Sequence, residues 1–399
     1  MQYQYFLGID IAKDSFDIAL IDKEQKLLAK AKYPMGYDGF NELAKLLQNY
    51  SKDELLLLCE STGIYHLNLL SFLLEKEYRC AVVNPMLIKA HIQSSTLRKS
   101  KTDTIDAKHI ALFGLYHYPK LSLATNELFS SIKPLLRERV TLSQEAAKLK
   151  TEIKALVDQL FYELSKNYNI FTKSILHLLL QAPSRKKVRN LKEQKIQKIL
   201  DSASQGKSTI LAKEIRNLAK RSVGISSKSL ETILQSKIRR LFALEEEIAL
   251  LDAKIEEESR QSLNDDIDIL SSIKGVGKTT AISFLGEVGD IKKFSSPKKL
   301  CAYIGTDPAI YQSGSSLNTS GKITKRGNRY LRRTLWLMAL GVIRNTNTFK
   351  AYFAKKRSEG KSFKQAVIAT ANKLLRTIYA LLKNKTKFID NLAYEAVLV

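Results

Sequence analysis

The run Tyr5-Phe-Leu-Gly-Ile-Asp-Ile-Ala12 sets the terms for everything that follows it. Apolar residues surround a single acid, Asp10, and a second apolar run, Phe16-Asp-Ile-Ala-Leu-Ile21, begins only a few residues later. Runs of this length, broken by small and polar residues, read as neighbouring strands of a hairpin. A carboxylate inside an apolar strand is costly unless cations or donors meet it. Two readings of Asp10 are open: a cap on the hairpin, or the first ligand of a metal site completed by other acids.

The pattern then predicts a mixed α/β sheet. Strands are expected at Phe6–Ile11, Phe16–Ile21 and Leu27–Tyr33, then a helix at Gly39–Asn49 with Phe40, Leu43, Leu46 and Leu47 on one face. Glu54-Leu-Leu-Leu-Leu-Cys-Glu60 is nearly continuous in its apolar residues, as in a central strand covered on both faces. A helix at Ile64–Lys76 and a strand at Cys80–Asn84, closed by Pro85, complete the alternation. Sites in such sheets gather where strands end, and Glu60 stands at such an end.

Leu97-Arg-Lys-Ser-Lys-Thr-Asp-Thr-Ile-Asp106 reads as a basic loop turning into a helix at Ile105–Tyr116. Asp103 and Asp106 are three apart and share a face if both lie on the first turn. Acids there are also ordinary caps and dipole partners. Together with Asp10 and Glu60 they form a set suited to divalent metals, since hard cations such as Mg²⁺ take carboxylate oxygens. Two such ions, about 3.5–4 Å apart, activate an attacking oxygen and steady the leaving one in phosphodiester chemistry. Arg98, Lys99, Lys101 and Lys108 beside the acids suit a phosphate backbone.

Charge narrows the partner. The chain has 399 residues, with 65 Lys and Arg against 40 Asp and Glu, for a formal net charge of +25. That excess argues for a polyanion, nucleic acid before anionic membrane. No apolar run reaches the ~18 residues of a membrane span, and the N-terminus lacks a secretion pattern. Cys59, Cys80 and Cys301 are odd in number and far apart, which suits a reducing cytoplasm and offers no disulfide framework. His66, His91, His109, His117 and His177 are scattered without metal-ligand spacing.

From about Leu135 the texture changes to long helices. Leu142, Ala146, Leu149, Ile153, Leu156 and Leu160 alternate spacings of four and three, a coiled-coil seam, and Leu241, Leu244, Ile248, Leu251 and Ile255 form a second. The two are expected to pair as an antiparallel hairpin or across subunits. Between them, residues 166–225 are polar, basic and helical, with Ser184-Arg-Lys-Lys-Val-Arg-Asn190 prominent. A solvated face and a nucleic-acid arm are both open there.

Ile273-Lys-Gly-Val-Gly-Lys-Thr-Thr280 ends like a phosphate-binding loop but has Ser272 where the first glycine is required. The better reading is a helix-hairpin-helix turn. In it Gly275 and Gly277 bend the chain, Lys278 follows, and backbone N–H groups meet a DNA phosphate before a helix at Thr279–Val288. Residues 300–316 read as a loop leading into Lys322, Lys325, Arg326, Arg329, Arg332 and Arg333, several expected on one helical face. A serine hydroxyl beside clustered guanidinium groups could attack a phosphodiester, because those cations stabilise the charged transition state. Trp336 is expected in the core rather than on a base.

These residues together resemble the DEDD-type transposases of the insertion sequence 110 family, related to the Piv DNA invertases. The N-terminal match runs through Gly8-Ile-Asp10, Glu60-Ser-Thr-Gly-Ile-Tyr65, Val83-Asn-Pro85 and Lys101-Thr-Asp-Thr-Ile-Asp-Ala107. The C-terminal match runs from Gly275-Val-Gly277 through Gly286-Glu-Val-Gly-Asp290, Gly305, Pro308 and Gln312-Ser-Gly314 to Lys325-Arg-Gly-Asn-Arg329 and Leu331-Arg332. The stretch 166–225 has no counterpart in that pattern.

The resemblance implies an α/β RNase-H-like (RuvC-like) N-terminal domain at 1–125 with the tetrad Asp10, Glu60, Asp103 and Asp106 binding Mg²⁺, in two ions. A helical coiled-coil middle at 126–265 and a mainly α C-terminal domain with a helix-hairpin-helix at 266–399 would follow. Ser313 matches the family's catalytic serine, which becomes covalently joined to a DNA end, with Ser315 and Ser316 close by. Also implied are site-specific DNA recombination, a structured guide (bridge) RNA as used by several members, and a dimer or tetramer assembled through the coiled coils. A prokaryotic cytoplasm, at the nucleoid, would be its place. Two other functions compete: a hydrolytic junction resolvase in which water attacks, and a non-catalytic nucleic-acid-binding protein.

Overall fold

The computed structural model describes residues 3–61, 64–95, 103–124, 132–206, 209–313 and 317–390. The chain forms two compact units, 1–131 and 132–399.

In the first unit, β1 (Tyr5–Ile11), β2 (Ser15–Asp22) and β3 (Leu27–Pro34) make an antiparallel meander. After α1 (Tyr37–Leu47), β4 (Leu55–Glu60) pairs parallel to β1. Then α2 (His66–Glu75) leads to β5 (Cys80–Val83), parallel to β4. The strand order is β3-β2-β1-β4-β5, a mixed sheet as expected from the sequence. Two helices follow, α3 (Pro85–Ser95) and α4 (Asp103–His117).

Strand alternation splits the sheet between two cores. Leu7, Ile9, Ile11, Leu57 and Cys59 pack with Leu43 and Leu47 of α1 and Leu69, Leu70 and Leu73 of α2. Phe6, Leu56 and Leu58 face the other way, toward Ile110 and Ala111 of α4. By the same alternation Gly8, Asp10 and Glu60 belong to the α4 face. Gly8 is why α4 can lie so close: a Cβ there would fall on the Ala107 carbonyl oxygen and the Ala111 amide nitrogen. The fit rests on backbone against backbone, with no side chain between to give way.

The second unit is helical apart from one hairpin. It opens with α5 (Lys133–Leu160), followed by α6 (Tyr162–Asn167), α7 (Lys173–Gln181), α8 (Arg185–Asn190), α9 (Glu193–Ser204) and α10 (Ala212–Arg221). Next come α11 (Lys228–Ser262), α12 (Asn264–Ser271), α13 (Lys278–Val288) and α14 (Pro297–Ile304). The hairpin β6 (Pro308–Ser313) and β7 (Leu317–Ile323) precedes α15 (Arg329–Asn345), α16 (Asn347–Ser358) and α17 (Phe363–Asn384).

The two seams read from sequence meet within one chain. Arg139 pairs with Asp252 at 2.5 Å, Lys150 with Glu245 at 2.8 Å and Lys237 with Glu152 at 2.5 Å, so α5 and α11 run antiparallel. Leu142, Ala146, Leu149, Ile153, Leu156 and Leu160 are buried. Residues 132–265 and 266–399, read from sequence as parts of two separate domains, fall within one compact unit with two cores. The reason is that the long helices serve both: Ile153, Leu234 and Ile238 belong to the core with α7 to α10, Leu136 and Ile255 to the C-terminal core.

Candidate DNA-processing site

Asp10 lies near the end of β1 and Glu60 at the end of β4, one residue beyond the Ile9–Cys59 pair of the parallel ladder. They are therefore neighbours on the α4 face, both half-buried. Asp103 is the first residue of α4, one helical turn before Ala107 on the row that lies over Gly8, and half-buried Asp106 directly precedes Ala107. Acids distant along the chain are thus placed on elements that meet at Gly8. Among the described residues no three His, Cys, Asp or Glu side chains converge as a ready-made metal cluster. Lys108 is exposed on α4, while Arg98, Lys99 and Lys101 lie outside the described residues.

The sheet adds an acid that the sequence reading passed over. Asp17 on β2 stands directly opposite Asp10 and is 8% exposed. It is also opposite Lys32 on β3, whose ammonium lies 3.4 Å from its carboxylate. Glu60, Asp10, Asp17 and Lys32 thus form a row across four adjacent strands. Like charges directly opposite are destabilising, and Lys32 offsets part of that at Asp17. The signal was available: a tight turn after Ala12 places residue 17 against residue 10.

The donors suit a hard cation. The row offers carboxylate oxygens, while Cys59 and Cys80 are buried, Cys59 on the opposite face of the sheet. Burial pushes the Cys59 thiol up to about 12, which keeps it protonated and out of metal or nucleophilic chemistry. Topology also gathers histidines that looked scattered. His91 of α3 stands 5.6 Å, ring centre to ring centre, from His117 of α4. Burial, then the neighbouring His117 and His109, lowers the His91 pKa.

The serine-bearing stretch departs from expectation. Residues 308–313 and 317–323 are not loop but the paired strands β6 and β7, with Ser313 the last paired residue on β6, opposite Leu317. Ser315 and Ser316 lie outside the described residues. The hairpin's root is fixed by Asp307, which accepts from the Thr324 hydroxyl at 2.8 Å. Gly305, with φ +76°, packs backbone to backbone on Gly327.

Of the six basic residues after it, only three are placed to share a helical face. Lys322 is on β7, Lys325 and Arg326 sit in the connection, and only Arg329, Arg332 and Arg333 enter α15. Arg332 turns inward, donating to the carbonyls of Ile304 and Gly327 at 2.8 and 2.7 Å. Lys325, Arg326, Arg329 and Arg333 remain exposed. Trp336 packs against the core.

Glu287 was seen only as part of a motif, yet it is the buried acid of this region, at 2% exposure. Arg137 of α5 donates to both its oxygens at 2.7 and 3.0 Å, and the Asn328 amide donates at 2.7 Å. The hydrogen bond to Glu287 raises the Arg137 pKa further. Asn328 in turn caps α15 by accepting from the amides of Tyr330 and Leu331. One carboxylate thus ties α5, α13 and the start of α15 beside the hairpin's root.

The glycine turn after α12 also has a packing role. Gly275, at φ +94°, seats against the Gly341 backbone of α15. Gly277 precedes α13 with nothing within 4 Å of a built Cβ. Lys278 is paired with Glu256 at 2.7 Å. The segment before the turn is helix α12, not the strand a phosphate-binding loop requires.

Residues 7–162 match a family model described as "Transposase", of the DEDD and IS110 type, and residues 267–354 match one described as "Transposase IS116/IS110/IS902 family". The pilin gene-inverting protein of Moraxella bovis is 25% identical over 386 residues, 96% of this chain and 97% of that one. The transposase for insertion sequence element IS1111A of Coxiella burnetii is 32% identical over 174 residues, 43% of this chain and 47% of that one. T. thermophilus RuvC, solved in complex with a Holliday junction substrate, overlays 31% of this chain and all of its own at 12% identity, with a TM-score of 0.25 that decides nothing alone. With two matching segments in this order, together spanning more than half its length, the chain belongs to the IS110 family of insertion-sequence transposases.

Proposed function

We propose that this transposase cuts and rejoins DNA at a divalent-cation centre held by Asp10, Glu60, Asp103 and Asp106, with Ser313 as the attacking nucleophile. The observation that carries the reading is the adjacency of Asp10 and Glu60 at two parallel strand ends, on the face where Gly8 seats the start of α4. The sheet order, with three antiparallel strands flanked by two parallel ones, supports an RNase-H-like assignment for this unit.

Two Mg²⁺ ions are the hard cations such a carboxylate set would take, and when bound they supply charge stabilisation to a phosphodiester displacement. The acids orient that charge; the buried apolar faces around them keep the elements in register. The serine Oγ would form a bond to phosphorus as a P–O bond to a deoxyribose oxygen breaks, the serine proton passing to the departing oxygen. A phosphoserine–DNA link results, and attack on it by another DNA hydroxyl restores the serine and reseals a strand. Exposed Lys325, Arg326, Arg329 and Arg333 near the hairpin's root offer cations for phosphates.

The fuller reading includes a structured guide RNA and a homo-oligomer. A net charge of +25 suits a second polyanion. The α5 and α11 seams are covered by each other within the chain, so an oligomer would use other surfaces. Among the described residues no helix is long and apolar enough to cross a membrane, and a DNA substrate would place the protein at the nucleoid.

Ser313→Ala is expected to abolish the covalent protein–DNA adduct, read on denaturing gels with end-labelled substrate, while DNA affinity stays within about twofold, because one neutral hydroxyl adds little to charge-driven phosphate binding. Cleavage that persists with free ends would make the enzyme hydrolytic. An adduct that persists would move the nucleophile to a neighbouring serine.

A further inference from the structure

Residues 163–266 lie outside both family segments. Within them, 166–225 carry fourteen Lys and Arg against three acids. The helices α6 to α10 fold over the ends of α5 and α11 around a shared core that includes Leu164, Leu179, Ile196, Ile215 and Leu234. This is a built module with a strongly charged exterior.

The structure separates the cations that hold the module together from those that do not. In the Ser184–Asn190 run, Ser184 donates to buried Glu231 at 2.5 Å and Lys187 pairs with the same carboxylate at 2.9 Å. Arg185 donates to the Gly224 carbonyl at 2.7 Å. These three are fasteners. Lys186 and Arg189, three apart on α8, are exposed and make no such fastening bond from their side chains among the described residues.

On α10, Ala212, Ile215 and Ala219 face the core. Lys213, Arg216 and Lys220, spaced three and four apart, form a row along the helix. Arg216 lies in the middle, bonded to the Arg189 carbonyl at 3.5 Å and paired with Glu193 at 3.3 Å. So the α10 row runs beside α8. Lys213 and Lys220 are exposed, with no ion pair among the described residues. Glu214, the acid of α10, accepts from the Tyr168 hydroxyl at 2.8 Å.

We propose that Lys213, Arg216 and Lys220, with Lys186 and Arg189 beside them, form a docking surface for the phosphate backbone of duplex DNA, separate from the strand-exchange residues. The proposal rests on the reading of the chain as a DNA transposase. Neither α8 nor α10 contains an aromatic residue. These two helices therefore offer no stacking platform of the kind single-strand binders use, and charge is their means of recognition. The row spans roughly 10 Å at 1.5 Å per residue, and duplex DNA presents a charge about every 1.7 Å of its axis. The surface fits non-specific anchoring of DNA flanking the site of exchange.

The test uses the full chain without divalent cations, so that no strand is cut, and reads fluorescence anisotropy with a random-sequence DNA duplex over a salt series. The triple variant Arg189→Gln, Lys213→Gln, Lys220→Gln is expected to bind about tenfold or more weakly. Its log–log salt slope should fall by about 2–3, at roughly 0.9 per phosphate contact. Glu193→Gln, which releases Arg216, should tighten binding about two- to threefold. Circular dichroism should show both variants folded, as exposed substitutions away from the core leave stability nearly unchanged. An unchanged slope in the folded triple variant overturns the proposal. So does a loss confined to duplex RNA, which would assign the surface to a guide RNA. Because the readout involves neither the acids nor Ser313, failure here leaves the strand-exchange reading standing, and failure there leaves this one.

Discussion

Asp10→Asn is expected to reduce strand cleavage by at least about a thousandfold. Cation-borne stabilisation of a phosphodiester displacement is worth several kcal/mol, and each ~1.4 kcal/mol is a factor of ten in rate. Asn keeps the shape of the side chain, so the β1 ladder to β2 and β4 is undisturbed. Single-turnover cleavage should therefore collapse while the melting temperature and duplex affinity hold. Cleavage within about tenfold of wild type would mean that Asp10 belongs to the hairpin's architecture and not to its chemistry.

The largest structural effect is expected at Gly8. A valine there must displace the Ala107 carbonyl and the Ala111 amide, and a helix backbone cannot turn aside as a side chain can. Overpacking costs typically 1–3 kcal/mol, and an obstruction made of backbone should fall at or above the upper figure, lowering Tm by roughly 10 °C. Cleavage should fall further than stability does, because the displaced element begins with Asp103 and Asp106. Gly277→Ala is the control: φ is −76° and nothing lies within 4 Å of the new methyl, so Tm should change little. If Gly8→Val melts like wild type, α4 does not rest on β1 as described.

Much of the first unit was legible because its strands are short apolar runs with turns between them. The pattern of β4, apolar on both faces, announced a central strand, and burial of Leu55 to Cys59 agrees. The place of Asp17 was harder, since it reads as the polar beat in Phe-Asp-Ile; only the register reveals that it meets Asp10. The hairpin β6–β7 was invisible for a related reason. Its strands, Pro-Ala-Ile-Tyr-Gln-Ser and Leu-Asn-Thr-Ser-Gly-Lys-Ile, mix a few apolar residues with polar ones and show none of the regular alternation that marks a half-buried strand; the hairpin's root is held by Asp307, Thr324 and the Gly305–Gly327 contact. Charge was legible in amount but not in use. Arg332 looks the same in sequence as Arg333, yet the first is bonded inward and the second reaches solvent; Lys187 and Lys186 are both exposed, but Lys187 is paired with buried Glu231. The α5 and α11 seams pointed to each other as partners, but not to whether they pair within one chain or across subunits. Glu287 stood in a motif of glycines, and only its buried bonds to Arg137 and Asn328 show what it holds.

The central claim is that Asp10, Glu60 and the acids at the start of α4 grip hard cations. Mn²⁺ binding, followed by electron paramagnetic resonance in the full chain with duplex DNA present, reads this without relying on turnover. Wild type should show saturable sites, about two per chain, and Asp10→Asn with Glu60→Gln should lose them while keeping its fold. Equal occupancy in the wild type and the folded double variant would place the ions elsewhere and contradict the account.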